Sequence, residues 1–469
     1  MAQMDPTKLT APKLRLQERL AAIYLGVFPA RHGHRFFRHL VHHLPIVIGL
    51  SLAVALAAHL GWFQGFQTMA LDTLLLAQGS RRSDQVVIVT IGDEEFRSRK
   101  LFNDTSPLDP EKIGQILSAI AAEEPRIIAV DLDTSSTSPA LAGKYRELAE
   151  ATATKGWPPV IWSCDGEEVS DPHEGHGAPK LDIEHPALSG HHSAINGLIT
   201  LPCDVDGVVR RYFRTFPVKN GGHHDSLPWA VVKRYCQDKV AHNEELPQHL
   251  QELFDEKFTV HKRNELYMNY PGDRFSFNHI PAQAVLNPAV WEKQKQNVRG
   301  KIVLLGGTYL AARDIHPTPV GRKSGVEVLA MAVESELQGA GISKLHEAFA
   351  ILIDILFGTL LVYFSWRFVS PHAMLLNLLA VGVLAVAASY ITFNTFGYWL
   401  NFAVVLVGIW LHNQLDLFRE IPSLRRENDD LRHKLSNYEQ AGASHSQGSS
   451  APAAISAAVT TGHTPEQAQ

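Results

Sequence analysis

Four long apolar segments constrain this sequence more than any other feature. The first covers residues 44–63, and three more lie near the end at 347–368, 373–396 and 398–417. At about 1.5 Å per helical residue, such segments can cross a hydrocarbon layer of about 30 Å. The first segment lies well inside the chain and lacks a small-residue cleavage site, so we predict a permanent anchor. The sequence predicts one membrane helix, a long insert over 64–346, and three more membrane helices.

Basic residues flank these segments unevenly. The N-terminal tail, 1–43, is rich in Lys and Arg, and the C-terminal flank carries Arg419, Arg425 and Arg426. The short connection at 394–398 has neither Lys nor Arg. Positive charge near the ends of membrane helices marks the cytoplasmic side. We therefore predict that both termini are cytoplasmic and that the insert is extracytoplasmic.

Charge, cysteine and histidine content limit the partners. The net charge of −5 argues against a nucleic-acid-binding role, which needs a concentrated basic face. Cys164, Cys203 and Cys236 all fall in the insert, where at most one disulfide or only free thiols are possible. His173 and His176 have ligand-like spacing without a matching cysteine pair. We expect solvated histidines, no metal site and no cofactor.

The insert has the pattern of an α/β domain with a largely parallel sheet. The run VVIVTI, ending before Asp93, predicts a buried strand, and Asp109 caps a predicted helix. A second buried strand follows at 126–133, so we predict a βαβ unit with a parallel strand pair. A strand at 301–307 and a helix at 326–337 close the domain in the same style. Further strands are predicted at 158–164, 194–200 and 208–218, and a helix at 227–235.

The segment at 421–440 has a short heptad pattern. Its repeat positions are Ile421, Leu424, Asn428, Leu431 and Leu435. A lone Asn at an a position favours a parallel two-stranded register, so this segment predicts a short coiled coil that supports a homo-oligomer. Residues 441–469 have no apolar periodicity, and we predict a disordered tail.

Five blocks in one order make the insert similar to a known family. They include the Leu71–Asp72 pair before the first strand, the βαβ unit, the run CDVDGVVRR around Arg210, and the late block from GKIVLLGG to GVEVLAMAVESELQG. This order resembles the CHASE2 family of extracytoplasmic sensor domains in bacterial kinases, cyclases and related receptors. The resemblance implies a bacterial inner-membrane protein with a periplasmic sensor domain and the same arrangement of one helix before and three after.

Two features depart from the family pattern. The segment FNDTSPLDPEK stands where members commonly have a Trp-Pro and an arginine. After the last predicted membrane helix, about fifty residues follow without a P-loop, a kinase glycine loop or a GGDEF-like run. We therefore expect this chain to lack the family's usual output enzyme.

Four aspartates are predicted at the carboxyl ends of strands. Asp93, Asp131, Asp133 and Asp314 would meet where open α/β sheets bind ligands. Together they could hold a cation or a cationic ligand, with Arg210 as a counter-charge. The alternative is that they cap helices and turns and pair with arginines to hold the fold.

Polar residues also fall within the apolar segments. Asp354 lies about two turns into the second segment, and His59 and Asn401 lie at comparable depth in the first and fourth. An intramembrane carboxylate is costly unless it is protonated or paired. We predict that these three residues form a polar cluster that locks helix packing.

The sequence therefore favours a non-enzymatic membrane receptor or accessory subunit. Its expected partners are the lipid bilayer, a second copy of the chain, and a separate membrane or cytoplasmic protein. The main alternative is a structural scaffold subunit of a bacterial envelope complex that binds no ligand. A periplasmic metal-dependent enzyme is a third class, suggested by the aspartate and histidine clusters alone.

Overall fold

The chain divides into two units, residues 1–408 and 409–469. The computed structural model describes residues 30–134, 138–168, 180–182, 195–219, 221–254, 264–270, 276–339, 341–367, 371–411, 414, 426, 428–434 and 436. The fold below is that of the first unit.

Strands account for much of the described insert. In chain order they are β1 (Val86–Ile91), β2 (Ile127–Asp131), β3 (Val160–Cys164), β4 (Glu167–Glu168), β5 (Leu181–Asp182), β6 (Ile195–Leu198), β7 (Arg211–Phe213), β8 (Thr215–Pro217), β9 (His223–Asp225), β10 (Glu265–Tyr267), β11 (Asn278–Pro281), β12 (Ile302–Gly307), β13 (Ile315–Thr318), β14 (Gly321–Ser324), β15 (Ser343–Lys344) and β16 (Tyr398–Trp399).

Helices precede, cover and follow the strands. They are α1 (Ala30–His59), α2 (Gln64–Ala77), α3 (Asp93–Arg97), α4 (Pro110–Ala121), α5 (Pro139–Thr154), α6 (Leu227–Ala241), α7 (Gln248–Phe254), α8 (Ala282–Leu286), α9 (Pro288–Gln294), α10 (Gly325–Leu337), α11 (Glu347–Arg367) and α12 (Pro371–Phe396). A further apolar helix covers Phe402–Leu411.

A six-stranded parallel sheet forms the centre of the domain, in the order β11-β1-β12-β2-β3-β6. The residues of β2 and β12 are all buried. Both faces of a parallel sheet are normally covered by helices, which explains these continuous apolar runs. The predicted α/β domain with a largely parallel sheet is therefore confirmed.

Alternate residues of the central strands enter two separate cores. Ile127 and Ala129 of β2 belong to the core with α2, α6 and α10, whereas Ile128 and Val130 belong to the core with α4 and α5. The alternation follows from the two-residue period of a strand. The domain is thus a sheet between two helical layers. Helix α2, which precedes β1, is part of one of them.

The sheet order differs from the sequence prediction at one point. Strands β1 and β2 are parallel and joined by α4, as predicted, but they do not pair with each other. Strand β12 lies between them, with Thr90 and Asp131 as the two neighbours of Gly306. The apolar β12 is buried on both faces and occupies the most protected place in the sheet. The prediction of an adjacent β1–β2 pair was therefore wrong.

Two other differences concern short strands. The predicted strand at 208–218 forms β7 and β8, which pair with β10 and β9 outside the main sheet. Strand β11 was not predicted, because Asn278–Pro281 mixes polar and apolar residues. It pairs with β1 at the edge of the sheet.

Membrane-spanning character is clearest in α12. Its segment Leu378–Phe396 is long and apolar enough to cross a bilayer. The pair His43–His59 and Gln64–Ala77, bent by 89°, also passes this test if it is taken as one span. The described helices Ala348–Phe364 and Phe402–Leu411 are apolar but shorter. The arrangement of four spans stays a prediction.

Candidate functional site

Asp131 is the last residue of β2 and is only 8% exposed. By the strand alternation, its side chain faces the same layer as Ile127 and Ala129, towards α10. None of the described residues donates a hydrogen bond to its carboxyl group. Burial, together with the negative charge of Asp314, raises the pKa of Asp131 to about 8. Burial therefore favours the protonated form of this carboxyl group.

Asp314 lies at the N-terminus of α10. The backbone N–H of Gly325 donates to the Asp314 carbonyl oxygen at 3.0 Å, and the Asp314 carboxylate packs on Gly325. A Cβ at position 325 would lie 2.1 Å from Oδ2 of Asp314, so this approach requires glycine. Oδ1 of Asp314 is 2.8 Å from Nε2 of His316. The partial positive charge of a helix N-terminus favours a carboxylate in this place.

Tyr309 and Leu310, in the loop after β12, lie among the predicted aspartates. The ring of Tyr309 stacks on Phe96, with centroids 4.2 Å apart. Burial raises the pKa of Tyr309, and the charges of Asp133 and Asp314 add to this effect. The next residue, Leu310, donates its N–H to Oδ1 of Asp93 at 3.2 Å. The loop after β12 thus brings the four predicted aspartates to one edge of the sheet.

A cavity of about 480 Å³ adjoins this edge at the carboxyl ends of β1 and β11. Asp93, Glu95, Gln283 and Asn287 contribute polar groups to its lining. A volume of this size is within the range of small-molecule sites, which runs from about 300 to 1,000 Å³. We call the edge of the sheet with the four aspartates the acidic edge. The cavity lies on its Asp93 side.

Arg210 belongs to a different ion-pair cluster. It is 2% exposed, and its Nε and Nη2 donate to the two carboxylate oxygens of Asp72 in α2 at 2.8 and 2.9 Å. Nη1 donates to Asp204 at 2.9 Å and to Asp206 at 2.8 Å, and Nη2 donates to Asp206 at 2.7 Å. These five bonds use all five N–H groups of the guanidinium. We predicted Arg210 as a counter-charge at the acidic edge. In the structure its hydrogen-bond partners are instead Asp72, Asp204 and Asp206.

The geometry allows a limited chemistry at the acidic edge. Among the described residues, no group of three or more His, Cys, Asp or Glu side chains is arranged to hold a metal ion. The two carboxyl groups of Asp131 and Asp314 suit an organic cation instead. Tyr309 and His316 were not predicted from the sequence, because a single tyrosine or histidine in a loop forms no recognisable pattern.

A comparison with protein families identifies the domain. The model of the CHASE2 domain matches residues 48–365. The chain belongs to the CHASE2 family. CHASE2 domains are extracytoplasmic sensory domains of membrane proteins, so the resemblance given by the sequence blocks is confirmed. No curated protein and no solved structure matches the chain significantly.

The CHASE2 match begins within α1 and ends within α11, and these two helices meet at Asp354. Ser51 of α1 donates a hydrogen bond to the buried carboxylate of Asp354. Gly408 approaches it from another side, since a Cβ there would lie 2.9 Å from Oδ1 of Asp354. His59 is about 12 Å along the helix from Ser51, and Asn401 is about 10 Å along the chain from Gly408. The structure therefore joins Asp354 to Ser51 rather than to the predicted His59 and Asn401.

Two further predictions for this CHASE2 protein concern the coiled coil, which the structure covers in part, and the three cysteines. In the predicted coiled coil, Asn428 and Leu431 lie in a described helix at 428–434 and are exposed. Ile421, Leu424 and Leu435 lie outside the described side chains. Cys164, Cys203 and Cys236 are free thiols, and Cys203 is the exposed one.

Proposed function

We propose that this chain is a non-enzymatic membrane sensor or accessory subunit whose CHASE2 domain binds a signal with a positively charged group at the acidic edge. The observation that carries this proposal is the carboxyl group of Asp131. It is buried at the carboxyl end of a central strand, lies near enough to Asp314 to be affected by its negative charge, and receives no hydrogen bond from the described residues. Burial makes the ionised form of this carboxyl group unfavourable, and a cationic ligand can remove that cost.

A cation suits this edge better than a neutral ligand. A positive charge near Asp131 favours its ionised form, so binding would lower the pKa of Asp131 and release a proton. Asp314 is half-buried at the N-terminus of α10, and Asp133 is exposed. A ligand would thus reach Asp131 past two carboxylates that attract it. An amine or a guanidinium is the class of group that fits.

We further propose that the bound state is transmitted through protein contacts. In this proposal the four apolar segments cross the inner membrane, with both termini in the cytoplasm, and the chain acts on a separate protein. Support comes from the apolar α12, the apolar part of α1, and the shorter apolar helices that follow the domain. Ligand binding can reach the cytoplasm only if the helices have two arrangements that the ligand distinguishes.

Thermal unfolding of the full chain in detergent tests the ligand class. Arginine amide, spermidine and calcium chloride are the probes, with sodium chloride at matched ionic strength as the control. We expect the two organic cations to raise the unfolding midpoint of the wild type, because ligand at a hundred times its Kd stabilises by about 2.7 kcal/mol. The same probes should leave Asp131→Asn unchanged, since this variant lacks the carboxylate.

An equal shift in the wild type and in Asp131→Asn would exclude the acidic edge as the site. The scaffold alternative predicts no shift with any probe. It also predicts that purification from the native membrane in mild detergent recovers the same stoichiometric partner proteins under all conditions. A sensor with a transient partner is instead recovered without such a constant set.

A further inference from the structure

Helix α2 has two faces with different surroundings. Its inner face buries Leu71, Leu74 and Leu75 in the core that includes strands β1 and β2. Asp72, beside these residues, is held by Arg210. The helix is therefore an integral part of the CHASE2 domain rather than a linker to the membrane.

The outer face of α2 is an exposed apolar stripe. We define the stripe as Phe66, Met69, Thr73 and Leu76, which follow one another at helical spacing on α2, together with Trp62 in the turn before the helix. Its four large apolar side chains are between 60% and 75% exposed. The hydroxyl of Thr73 donates to the carbonyl of Met69 at 2.8 Å, so the stripe offers no charge and little polarity to its surroundings. A contiguous apolar surface of this kind usually marks an interaction site.

The direction of α2 indicates what covers the stripe. The apolar segment His43–His59 of α1 is followed by a bend of 89° into α2. If α1 crosses a bilayer, a helix at a right angle to it runs parallel to the bilayer surface. The stripe begins at the bend itself, with Trp62, where the chain would leave the hydrocarbon layer.

Other exposed aromatic residues lie at or near the ends of the helices that adjoin the domain. Phe349 is near the start of α11, Phe396 is the last residue of α12, and Tyr398 begins β16 just after it. The pairing of β15 with β16 brings these two helix ends together. Tyr390 of α12 contacts the carbonyl of Ala77, at the end of α2. Aromatic side chains concentrate at both surfaces of a membrane, so these helix ends have the composition of a membrane–water interface.

We propose that α2 lies in the membrane–water interface, with its stripe in the lipid and its inner face in the core of the sensor domain. Interfacial helices of this type insert an apolar face about 5–10 Å into the boundary between headgroups and acyl chains. The opposite face of an ordinary interfacial helix is in water, whereas the inner face of α2 packs against the sensor domain. The same helix thus belongs to the domain core, to the Arg210 cluster and to the lipid surface.

Spin labelling of the full chain in lipid vesicles tests this placement. The background is Cys203→Ser, in which Cys164 and Cys236 remain buried, and burial raises the pKa of each thiol to about 12. Single cysteines then replace Phe66 or Met69 on the stripe. Val205, which is 93% exposed on a turn of the domain, gives the matched control. The vesicles consist of phosphatidylcholine with phosphatidylglycerol.

The expected result is that nitroxides at positions 66 and 69 collide more with oxygen than with a water-soluble nickel chelate, and that the order is reversed at position 205. Labels at 66 and 69 that behave like the one at 205 would overturn the proposal. Labels shielded from both reagents, with dipolar coupling between copies, would also overturn it, because a second copy would then cover the stripe. The unfolding midpoint of each labelled chain, compared with the unlabelled background, verifies that it is folded.

Discussion

Replacing Arg210 by methionine is expected to destabilise the protein by about 3 kcal/mol or more, because breaking a buried ion pair leaves charges without a partner. The substitution keeps much of the side-chain volume but removes five hydrogen bonds to Asp72, Asp204 and Asp206. At about 2–4 °C per kcal/mol for a domain of this size, the unfolding midpoint should fall by about 6–12 °C. Thermal unfolding of the full chain in detergent, at a fixed scan rate, measures this change.

Two companion variants are informative. One tests whether the positive charge alone is enough, and the other is a control at a surface ion pair. Arg210→Lys keeps the positive charge but cannot serve three carboxylates at once, so its midpoint should fall between those of wild type and Arg210→Met. Arg299→Met removes an exposed arginine that lies 3.9 Å from Glu123, and such surface pairs contribute about 0–1 kcal/mol. If Arg210→Met unfolds at the same temperature as Arg299→Met, the Arg210 cluster does not hold α2 to the domain.

Asp131→Asn is expected to make the protein more stable at alkaline pH. In the folded protein the pKa of Asp131 is raised from 3.8 to about 8, so folding favours its protonated form. The wild type therefore loses stability as the pH rises from about 4 to about 8, whereas asparagine cannot ionise. A difference of about four pKa units corresponds to on the order of 5 kcal/mol above pH 8. Below pH 4 the two proteins should have similar midpoints.

The measurement is the difference between the midpoints of wild type and Asp131→Asn from pH 4 to pH 9. Other groups titrate in this range, but they are shared by both proteins and cancel in the difference. Asp133→Asn is the matched control, because Asp133 is exposed and close by. Parallel pH profiles for wild type and Asp131→Asn would show that Asp131 ionises normally in the folded protein. They would contradict the raised pKa of Asp131.

The elements of the main sheet were largely predictable, but their order was not. VVIVTI, IIAVD and KIVLLGG are apolar runs too long to be exposed, so β1, β2 and β12 could be predicted as buried strands. That β12 lies between β1 and β2 depends on contacts across more than a hundred residues, which leave no local pattern. β11 is short and at an edge, where polar residues are tolerated, so its sequence gave no strand signal.

Part of the candidate site was predictable because the buried strands, and therefore their carboxyl ends, could be recognised in the sequence. Asp131 is the last residue of a strand, Asp93 and Asp133 each lie two residues beyond one, and carboxyl ends of parallel strands share one edge. Arg210 was assigned to the wrong neighbours because its own turn supplies Asp204 and Asp206, and α2 supplies Asp72. For Asp354 we predicted His59 and Asn401 as polar partners and missed Ser51. A single serine within an apolar helix gives no recognisable signal.

Hydrogen–deuterium exchange on the full chain in lipid nanodiscs tests the central claim, that the acidic edge binds a cationic ligand, most directly. The probes are arginine amide and spermidine, each with wild type and with Asp131→Asn. The account predicts slower exchange at 131–134 and 308–316 in the wild type when a probe binds, and no such change in the variant. Unchanged exchange at these two segments with both probes, or the same protection in the variant, would contradict it.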